Sequence, residues 1–471
     1  MNTNVAVRTE KDLLGNRDIP NQFYFGVQTL RAIENFNLTQ SKISDHPNFI
    51  RALAMVKWAC ADANHALNAL NQEKYQAIVA ACQKLIDGHY HEQFPVDMLQ
   101  GGAGTSTNMN ANEVIANIAL EHMGFAKGEY KNLHPNNDVN MSQSTNDVYP
   151  TAIRVGLLLS LKGLQDAFAT LIEGFEQKAQ EFKSVLKMGR TQLQDAVPMT
   201  LGQEFAAFAH TLQKDLNQLN RIAPEMLGYV NLGGTAIGTG ITTEAAYTPL
   251  AIAALSKISQ HNIQAAPDFV EATSDMGDFV LFSGILKRTA TKLSKIANDL
   301  RLLSSGPRTG IGEINLEPRQ PGSSIMPGKV NPVIPEAVNL AAFQVIANDL
   351  AVTLAADAGQ LQLNAMEPLI AFKLFESIEL LSKAMHMFND KCVRTVTANE
   401  EHCKQQVENS IGIVTALNPY LGYENTTRIA KKANEEKLSV LDLIREENLL
   451  SEQQLTEILA IENMIQPKAS V

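Results

Sequence analysis

The chain has 471 residues and a formal net charge of −11 at pH 7, so it is long enough for two or three domains, and its acidity argues against nucleic acid and anionic membranes as partners. Its four cysteines show neither a CxxC motif nor the His/Cys spacing of a metal site, so we expect reduced thiols. Residues 1–15 are polar, and no stretch reaches about 18 uninterrupted apolar residues, so we expect a cytoplasmic protein without a membrane span.

The N-terminal region contains the first candidate site residues. Its first fifteen residues are expected to be poorly ordered, and a turn at residues 15–20 precedes the first organised segment. Arg17 lies in this turn and Arg31 follows it. Each arginine is either an ordinary surface cation or an anion contact that reaches toward a site, and the sequence leaves both interpretations open. A helical pattern then runs from residue 48 to residue 87.

Two clusters of glycine, hydroxyl and amide residues each precede an apolar helical stretch. Residues 101–110 include Thr105, and residues 140–147 include Ser144, Thr145 and Asn146. The N-terminus of a helix favours a carboxylate through its free N–H groups and its dipole. Ser, Thr and Asn also simply cap helices, so either cluster alone is weak evidence. Together they predict a polar pocket built from helix starts.

Long amphipathic helices dominate the middle of the chain. The first two are separated by a break at residues 188–195, which contains Thr191 and Gln192. Apolar residues recur three or four positions apart, as in helical bundles. Strand-like alternation is scarce, so we predict an all-α protein with a small helical region after residue 397. The five predicted long helices span residues 148–182, 200–226, 275–304, 334–356 and 369–388.

The loop at residues 322–332 is the segment in which we place the chemistry. Its two glycines and two prolines exclude helix and strand, and they leave backbone N–H groups free to point at a ligand. The glycines also allow the loop to close over a bound molecule. It carries two hydroxyls, a cation and an amide: Ser323, Ser324, Lys329 and Asn331.

Four separated blocks, residues 101–110, 142–147, 189–194 and 322–332, resemble the motifs of the aspartase/fumarase superfamily of lyases. The resemblance runs from Asp12 to about Pro419 and is strongest to the aspartases (aspartate ammonia-lyases). It implies three domains, residues 1–141, 142–396 and 397–471. It also implies a homotetramer in which central five-helix bundles form a twenty-helix core, with each active site shared by three subunits.

The resemblance implies a reaction and a set of site residues. The reaction is the reversible deamination of L-aspartate to fumarate and ammonia through an aci-carboxylate intermediate, without an organic cofactor. Ser323 is then the general base, and Asn146 accepts from the substrate ammonium group. Hydroxyl groups that bind the β-carboxylate would be those of Thr105, Ser144, Thr145 and Ser324. The α-carboxylate would be held by Thr191, Lys329 and Asn331.

Position 192 bears on a second reaction, the hydration chemistry of class II fumarases. Similar fumarases carry His there, paired with an acidic residue that matches Glu336, whereas this chain has Gln192. An amide cannot shuttle protons. Loss of hydroxide from malate needs an acid, whereas an ammonium group leaves already protonated, so Gln192 favours aspartate. Some aspartases keep His at this position, so the argument does not decide the substrate alone.

Three further alternatives stay open from the sequence. His134 either marks a secondary dicarboxylate site, as in fumarases, or is an ordinary surface histidine. Members of this superfamily also serve as non-catalytic lens proteins, although the retained polar residues argue against a purely structural role. Related aspartases can be activated by Mg²⁺ away from the chemistry, but the sequence contains no EF-hand loop or dedicated ligand cluster.

Overall fold

The computed structural model of the protein describes residues 6–465. Helices dominate this part of the chain, and the predicted all-α class is confirmed. The five predicted long helices are confirmed to within three residues at each end. The helices are α1 Val27–Asn35, α2 Pro47–Ala66, α3 Gln72–Ile86, α4 Thr105–His122, α5 Thr145–Glu181, α6 Leu201–Gly228, α7 Tyr247–Ser259, α8 Phe269–Ser274, α9 Gly277–Leu303, α10 Val333–Asp357, α11 Glu367–Lys391, α12 Glu400–Asn409, α13 Val414–Glu436, α14 Val440–Glu446, α15 Glu452–Ile458 and α16 Ile461–Met464.

Short strands, which the sequence did not indicate, form four two-stranded sheets within residues 6–465. Two of these sheets are antiparallel hairpins, β1–β2 and β3–β4, and the pair β5–β6 is parallel. The strands are β1 Val7–Asp12, β2 Gly15–Pro20, β3 Leu186–Thr191, β4 Gln194–Thr200, β5 Tyr229–Val230, β6 Gln264–Ala265, β7 Ile314–Asn315 and β8 Thr397–Ala398.

The N-terminal hairpin corrects two expectations. Residues 7–15 were expected to be poorly ordered and residues 15–20 to form a turn, but residues 15–20 are strand β2, with which β1 pairs along its whole length. The polar sequence conceals an inward-facing side of the hairpin, on which Glu10 and Ile19 are buried. Gly15 adopts a positive φ of 112° at the turn, and the Asp12 carboxylate accepts a hydrogen bond from the Leu14 N–H. The hairpin is therefore fixed by its turn and by two buried side chains.

The helical pattern at residues 48–87 is confirmed and forms two helices, α2 and α3. The chain turns after α2, where Asn68 has a positive φ of 58°. The Asn71 side chain then accepts a hydrogen bond from the Lys74 N–H and caps α3. Asparagine tolerates the left-handed conformation and competes for backbone hydrogen bonds, which explains why a helix ends and restarts here.

The chain divides into two compact units, and each is described by itself. Unit 1 comprises the chain up to residue 165 with residues 217–288 and 344–381, and unit 2 comprises the rest. All five long helices contribute residues to both units. Residues 1–5 and 466–471, the outer limits of the predicted first and third domains, lie outside the described residues. The three-domain division stays a prediction.

Aromatic clusters fill the interior of each unit. In unit 1, Phe49 packs against the rings of Tyr149 and Phe375. In unit 2, Phe175 lies within 6.0 Å of three other rings, those of Phe205, Phe208 and Phe388. Apart from Phe49 on α2, these residues lie on α5, α6 and α11, so the apolar stripes predicted for the long helices face the core.

One face of α10 is apolar and exposed in the single chain. Leu340, Phe343, Leu350 and Leu354 are 63%, 56%, 60% and 61% exposed. Their spacings of three, seven and four residues fit the seven-residue repeat of helices that pack along a seam. By length and composition, α5 and α10 could each cross a membrane. Core helices of soluble proteins meet the same criterion, and 56% of the most apolar part of α5 is buried inside the protein.

Candidate active site

The start of α4 forms one wall of the candidate site in unit 1. Gly104 precedes the helix with a positive φ of 87°, and a Cβ atom there would lie 2.4 Å from the Tyr149 ring. Only glycine therefore fits this position. Thr105 is exposed at the first helical position, and its hydroxyl donates to the Gly102 carbonyl at 2.7 Å. The predicted residue thus lies at a helix N-terminus, as its sequence context indicated.

The start of α5 forms a second wall. Asp147 is fully buried, and its carboxylate accepts hydrogen bonds of 3.0 Å from the N–H groups of Ser144, Gly233 and Thr235. Burial raises the pKa of Asp147 to about 6, although the three backbone donors oppose this shift. Asn146 donates to the Ala236 carbonyl at 2.8 Å. Asp147 and Asn146 therefore bind the glycine-rich loop at residues 231–240 to the helix start.

The two helix starts meet through an amide. The Asn108 side chain on α4 donates to the Thr145 hydroxyl at 3.0 Å and to the Asn140 side-chain oxygen at 3.1 Å. Thr145 is thereby held at the beginning of α5. The predicted substrate-binding residues Thr105, Ser144, Thr145 and Asn146 all lie in this part of unit 1.

A buried lysine, which the sequence interpretation missed, lies behind these helix starts. Lys57 on α2 is fully buried, and its ammonium group donates to the side-chain oxygens of Asn108, Asn140 and Gln143 at 2.7, 2.9 and 2.8 Å. All three acceptors are neutral amides, so the positive charge is not cancelled by a hydrogen-bonded carboxylate. Burial lowers the pKa of Lys57 to about 8. The signal in the sequence was a single charge inside an apolar helical run.

Positive potential therefore converges on Thr145 from two sources. The N-terminal dipoles of α4 and α5 favour negative charge. Lys57 adds a full charge one hydrogen-bonded residue away, through Asn108. In a dry interior such charges act more strongly than in water. The region is suited to bind a carboxylate and to stabilise additional negative charge on it.

The second group of predicted residues lies in unit 2, and part of it forms the turn of the β3–β4 hairpin. Thr191 pairs with Gln194, which leaves Gln192 and Leu193 as a two-residue turn with positive φ values of 52° and 64°. Such turns usually contain Asn or Gly, so this backbone is strained. The predicted break at residues 188–195 is thus an ordered hairpin, with Thr191 and Gln192 exposed at its tip.

The loop at residues 322–332 is also part of unit 2, and Ser323 occupies its first turn. Its hydroxyl oxygen accepts hydrogen bonds from the N–H groups of Ile325 and Met326 at 3.2 and 3.1 Å. This is the local hydroxyl-to-backbone turn that serine commonly makes. It also places two donors on the oxygen that would carry negative charge if Ser323 lost its proton.

The remaining loop residues have distinct positions. The Gly322 N–H donates to the Lys329 carbonyl at 2.7 Å, and the Asn331 side chain donates to the Gly322 carbonyl at 2.9 Å. Asn331 therefore closes the base of the loop in this structure. Ser324 and Lys329 are exposed, and Glu336 is exposed in the first turn of α10. Whether Asn331 also contacts substrate stays a prediction.

The two candidate arginines pair with carboxylates in unit 1. Arg31 binds both oxygens of Asp12 at 2.8 Å, and this ion pair lowers the pKa of Asp12. Arg17 is exposed and lies 3.7 Å from Glu34. A bidentate, half-buried pair fixes the hairpin turn more firmly than a long surface pair does. The predicted anion contacts of both arginines stay predictions.

His134 has a local structural role. Its Nδ1 atom accepts hydrogen bonds from the N–H groups of Asn136 and Asn137 at 3.0 and 3.2 Å. Burial lowers the pKa of His134, although Asp138 opposes this shift. Asp138 is itself bound by Lys74 at 2.8 Å. His134 therefore caps a turn as a neutral ring, and its predicted alternative role in a secondary site stays a prediction. Within residues 6–465, no group of three or more His, Cys, Asp or Glu side chains is placed to hold a metal ion.

Comparison with known proteins identifies the family. A family profile described as "Lyase" matches residues 15–347, and one described as "Fumarase C C-terminus" matches residues 413–466. An aspartate ammonia-lyase of Pseudomonas aeruginosa is 66% identical over 98% of this chain and 97% of its own length. The chain belongs to the aspartase/fumarase superfamily of lyases. Its predicted membership and its predicted lyase class are confirmed.

Other members of the superfamily cover the chain almost completely. An aspartate ammonia-lyase of Escherichia coli is 54% identical over 98% of this chain and 96% of its own length. A Brucella melitensis structure titled fumarate lyase:delta crystallin, bound to cobalt, has a TM-score of 0.95 at 56% identity and covers 98% of this chain and 100% of that one. A class II fumarase of Schistosoma mansoni has a TM-score of 0.91 at 33% identity, with 98% and 99% coverage.

The buried charge of Lys57 predicts how kcat/KM depends on pH. The pKa of Lys57 is about 8 in the folded protein, against an ordinary value of 10.5. Between pH 8 and pH 10.5 the Lys57 side chain therefore binds more protons in the unfolded chain than in the folded protein. Its contribution to the free energy of unfolding rises with pH over this range. Positive potential at Thr145 falls over the same range. We expect kcat/KM to decline above pH 8 while this contribution to stability increases, and thermal unfolding measured at each pH separates the decline from loss of folded protein.

The variant Lys57→Met removes this charge, and its initial rates and thermal unfolding are measured together. We expect its kcat/KM at pH 7 to fall on the order of tenfold to a hundredfold, and the decline near pH 8 to disappear. A variant that keeps the wild-type pH profile would show that Lys57 does not supply the potential.

Proposed function

We propose that the protein catalyses the reversible deamination of L-aspartate to fumarate and ammonia. The observation that carries this proposal is the similarity, at 54–66% identity over nearly the full chain, to curated aspartate ammonia-lyases. The polar, positive helix starts of unit 1 and the serine-rich loop of unit 2 supply the chemistry that this reaction needs. The substrate is a dicarboxylate, so sites for two carboxylates and one ammonium group are required.

Ser323 is proposed as the general base that removes a proton from the carbon beside the β-carboxylate. A free serine is a poor base, so its alkoxide must be stabilised. The Ile325 and Met326 N–H groups already donate to the Ser323 oxygen. Lys329, six residues along the same loop, would add a positive charge on closure. This arrangement supports the base assignment without a histidine or a metal-bound water.

The β-carboxylate is proposed to bind at the helix starts of α4 and α5. Proton removal places a second negative charge on this group, giving the aci-carboxylate. Hydroxyl donors from Thr105, Ser144 and Thr145, with Ser324 of the loop, would then stabilise it, each by on the order of 3 kcal/mol. Lys57 would contribute through Asn108 without touching the substrate. The carbon–nitrogen bond breaks next, and ammonia leaves with the electron pair of that bond.

The α-carboxylate and the ammonium group are assigned to the remaining residues. Lys329, Asn331 and Thr191 are proposed to hold the α-carboxylate, and Asn146 to accept from the ammonium group. Gln192 lies beside Thr191 at the hairpin tip, where it can orient a substrate but cannot deliver a proton. That limitation favours the amine substrate over the hydroxyl substrate of a fumarase. Glu336 also lacks the histidine partner that the matching acidic residue has in similar fumarases, because position 192 is Gln.

We further propose that the protein is a cytoplasmic homotetramer with active sites shared by three subunits, and that no organic cofactor takes part. The exposed apolar stripe on α10 supports assembly, since its seven-residue spacing fits a second helix. Soluble monomers rarely expose contiguous apolar faces of this kind. Activation by Mg²⁺ away from the chemistry stays a prediction.

The first experiment follows the ultraviolet absorbance of fumarate with L-aspartate and with L-malate in separate cuvettes. We expect fumarate release from L-aspartate alone. Release from L-malate alone would make the protein a fumarase and would remove the argument from Gln192. Absence of turnover with both substrates would favour the structural alternative.

Replacement of the proposed base gives a second prediction. We expect Ser323→Ala to lower kcat by about 100- to 10,000-fold, the usual contribution of a general base. The oligomer and the thermal unfolding midpoint should not change, because Ser323 bonds only within its own loop turn. Wild-type kcat in this variant would exclude Ser323 as the base.

A third prediction concerns assembly. We expect Leu350→Glu to dissociate the tetramer, because it places a charge at the centre of the α10 stripe, and to leave the helix content of the subunit unchanged. Sedimentation velocity and circular dichroism measure the two effects. Leu438→Glu, at a 43% exposed leucine away from α10, serves as the matched control. A Leu350→Glu tetramer would place the subunit interface elsewhere.

A further inference from the structure

The β3–β4 hairpin is built into the core of the C-terminal helices. Met188 of β3 is 1% exposed and packs in one apolar cluster with Val407, Ile413, Leu417 and Ile429. Gly412 lies so close to β4 that a Cβ atom would be 2.7 Å from the Ala196 carbonyl and 3.3 Å from the Met188 sulfur. The strands that carry Thr191 and Gln192 therefore share their packing with residues 407–429.

Two polar contacts continue this packing to the edge of the turn. Ser410 is buried, and its hydroxyl donates to the Asp195 carboxylate at 2.7 Å while it accepts from the Gly412 N–H at 3.1 Å. On the other strand, Arg190 donates to the Gln406 side-chain oxygen at 3.2 Å. Arg190 and Asp195 face each other across the hairpin, immediately before the Thr191–Gln194 pair. Asp195 is thus held by the C-terminal region, and Arg190 is held by Gln406 together with Glu313, whose carboxylate accepts from Arg190 at 2.6 Å.

The turn beyond these contacts is otherwise open. A cleft of about 950 Å³ lies beside it, lined by residues 193–196 and by parts of residues 409–430. Gln192 and Leu193 also hold a strained backbone. A strained turn next to an open cleft keeps its conformation only if its base is fixed, and the base is fixed by the Asp195 and Arg190 contacts.

We propose that Ser410 and Gln406 are positioning residues, through which the C-terminal region sets the orientation of the substrate-binding turn at Thr191 and Gln192. This inference rests on the proposed function, because it assigns those two residues to the substrate. Ser410 acts through Asp195, and Gln406 acts through Arg190. Neither residue needs to touch the substrate.

The test compares Ser410→Ala with Ser451→Ala. Ser451 caps α15 in the same region, where its hydroxyl accepts from the Gln454 N–H, so its replacement removes a similar cap without changing the hairpin. We expect Ser410→Ala to raise KM for L-aspartate by about three- to tenfold, the effect of one ordinary hydrogen bond, with kcat little changed. A general folding defect would instead lower the active fraction, and so kcat, at an unchanged KM.

Three further variants test whether Ser410 acts through Asp195. We expect Asp195→Ala to reproduce the Ser410→Ala change, and the double variant to be no worse than either single one, since both remove the same contact. Ser410→Thr keeps the hydroxyl and should restore KM. Additive effects in the double variant would show that the two residues act separately and would overturn the proposed route.

Amide hydrogen exchange of residues 186–196 gives a readout that needs no substrate. We expect faster exchange in Ser410→Ala than in the wild type or in Ser451→Ala. Equal exchange and equal KM in the two alanine variants would overturn the inference, as would faster exchange with an unchanged KM. If the wild type does not release fumarate from L-aspartate, the proposed function fails, and the exchange comparison alone decides whether Ser410 orders the hairpin.

Discussion

The burial of a positive charge that has no hydrogen-bonded carboxylate is the constraint on which the arrangement of unit 1 depends. A lysine removed from water is costly unless its donors are satisfied. Lys57 is satisfied by three amide oxygens, from Asn108, Asn140 and Gln143, and these come from α4 and from the segment that leads into α5. Satisfying the lysine therefore requires both helix starts to lie together. The same geometry that stabilises the fold creates the anion-binding region.

A neutral shell has a chemical advantage over a salt bridge here. A carboxylate bonded to Lys57 would cancel its field, whereas amide oxygens solvate the ammonium group and leave the net charge available. Asp147 is also buried beside this region, but its oxygens accept from three backbone N–H groups instead. Each charge is thus hydrogen-bonded by dipoles and not by the other, although the two also attract each other electrostatically, so Asp147 offsets part of the positive potential of Lys57 near Thr145.

The long helices were predicted correctly from the sequence, whereas the candidate site residues stay predictions. The helices have a 3.6-residue apolar period sustained over more than twenty residues, and such patterns are hard to misinterpret. Ser323 and Lys329 were proposed from their motif, since no local pattern distinguishes a catalytic serine from a turn serine. Lys57 was missed because its meaning depends on three acceptors far along the chain. The β3–β4 hairpin was missed because a register shift between Met188 and Arg190, together with Pro198, interrupts any alternation.

The position of the loop at residues 322–332 links the proposed chemistry to the proposed assembly. The loop is closed at its base by the Gly322 and Asn331 hydrogen bonds, and it leads directly into α10. Ile325 in the loop is 83% exposed, and the apolar side chains of the α10 stripe are 56–63% exposed. Covering the stripe with a second helix would fix the start of α10 and so the base of the loop, while the loop tip stays free to close. Under the proposed function, assembly through the α10 stripe would therefore also order the segment that carries Ser323, the proposed base.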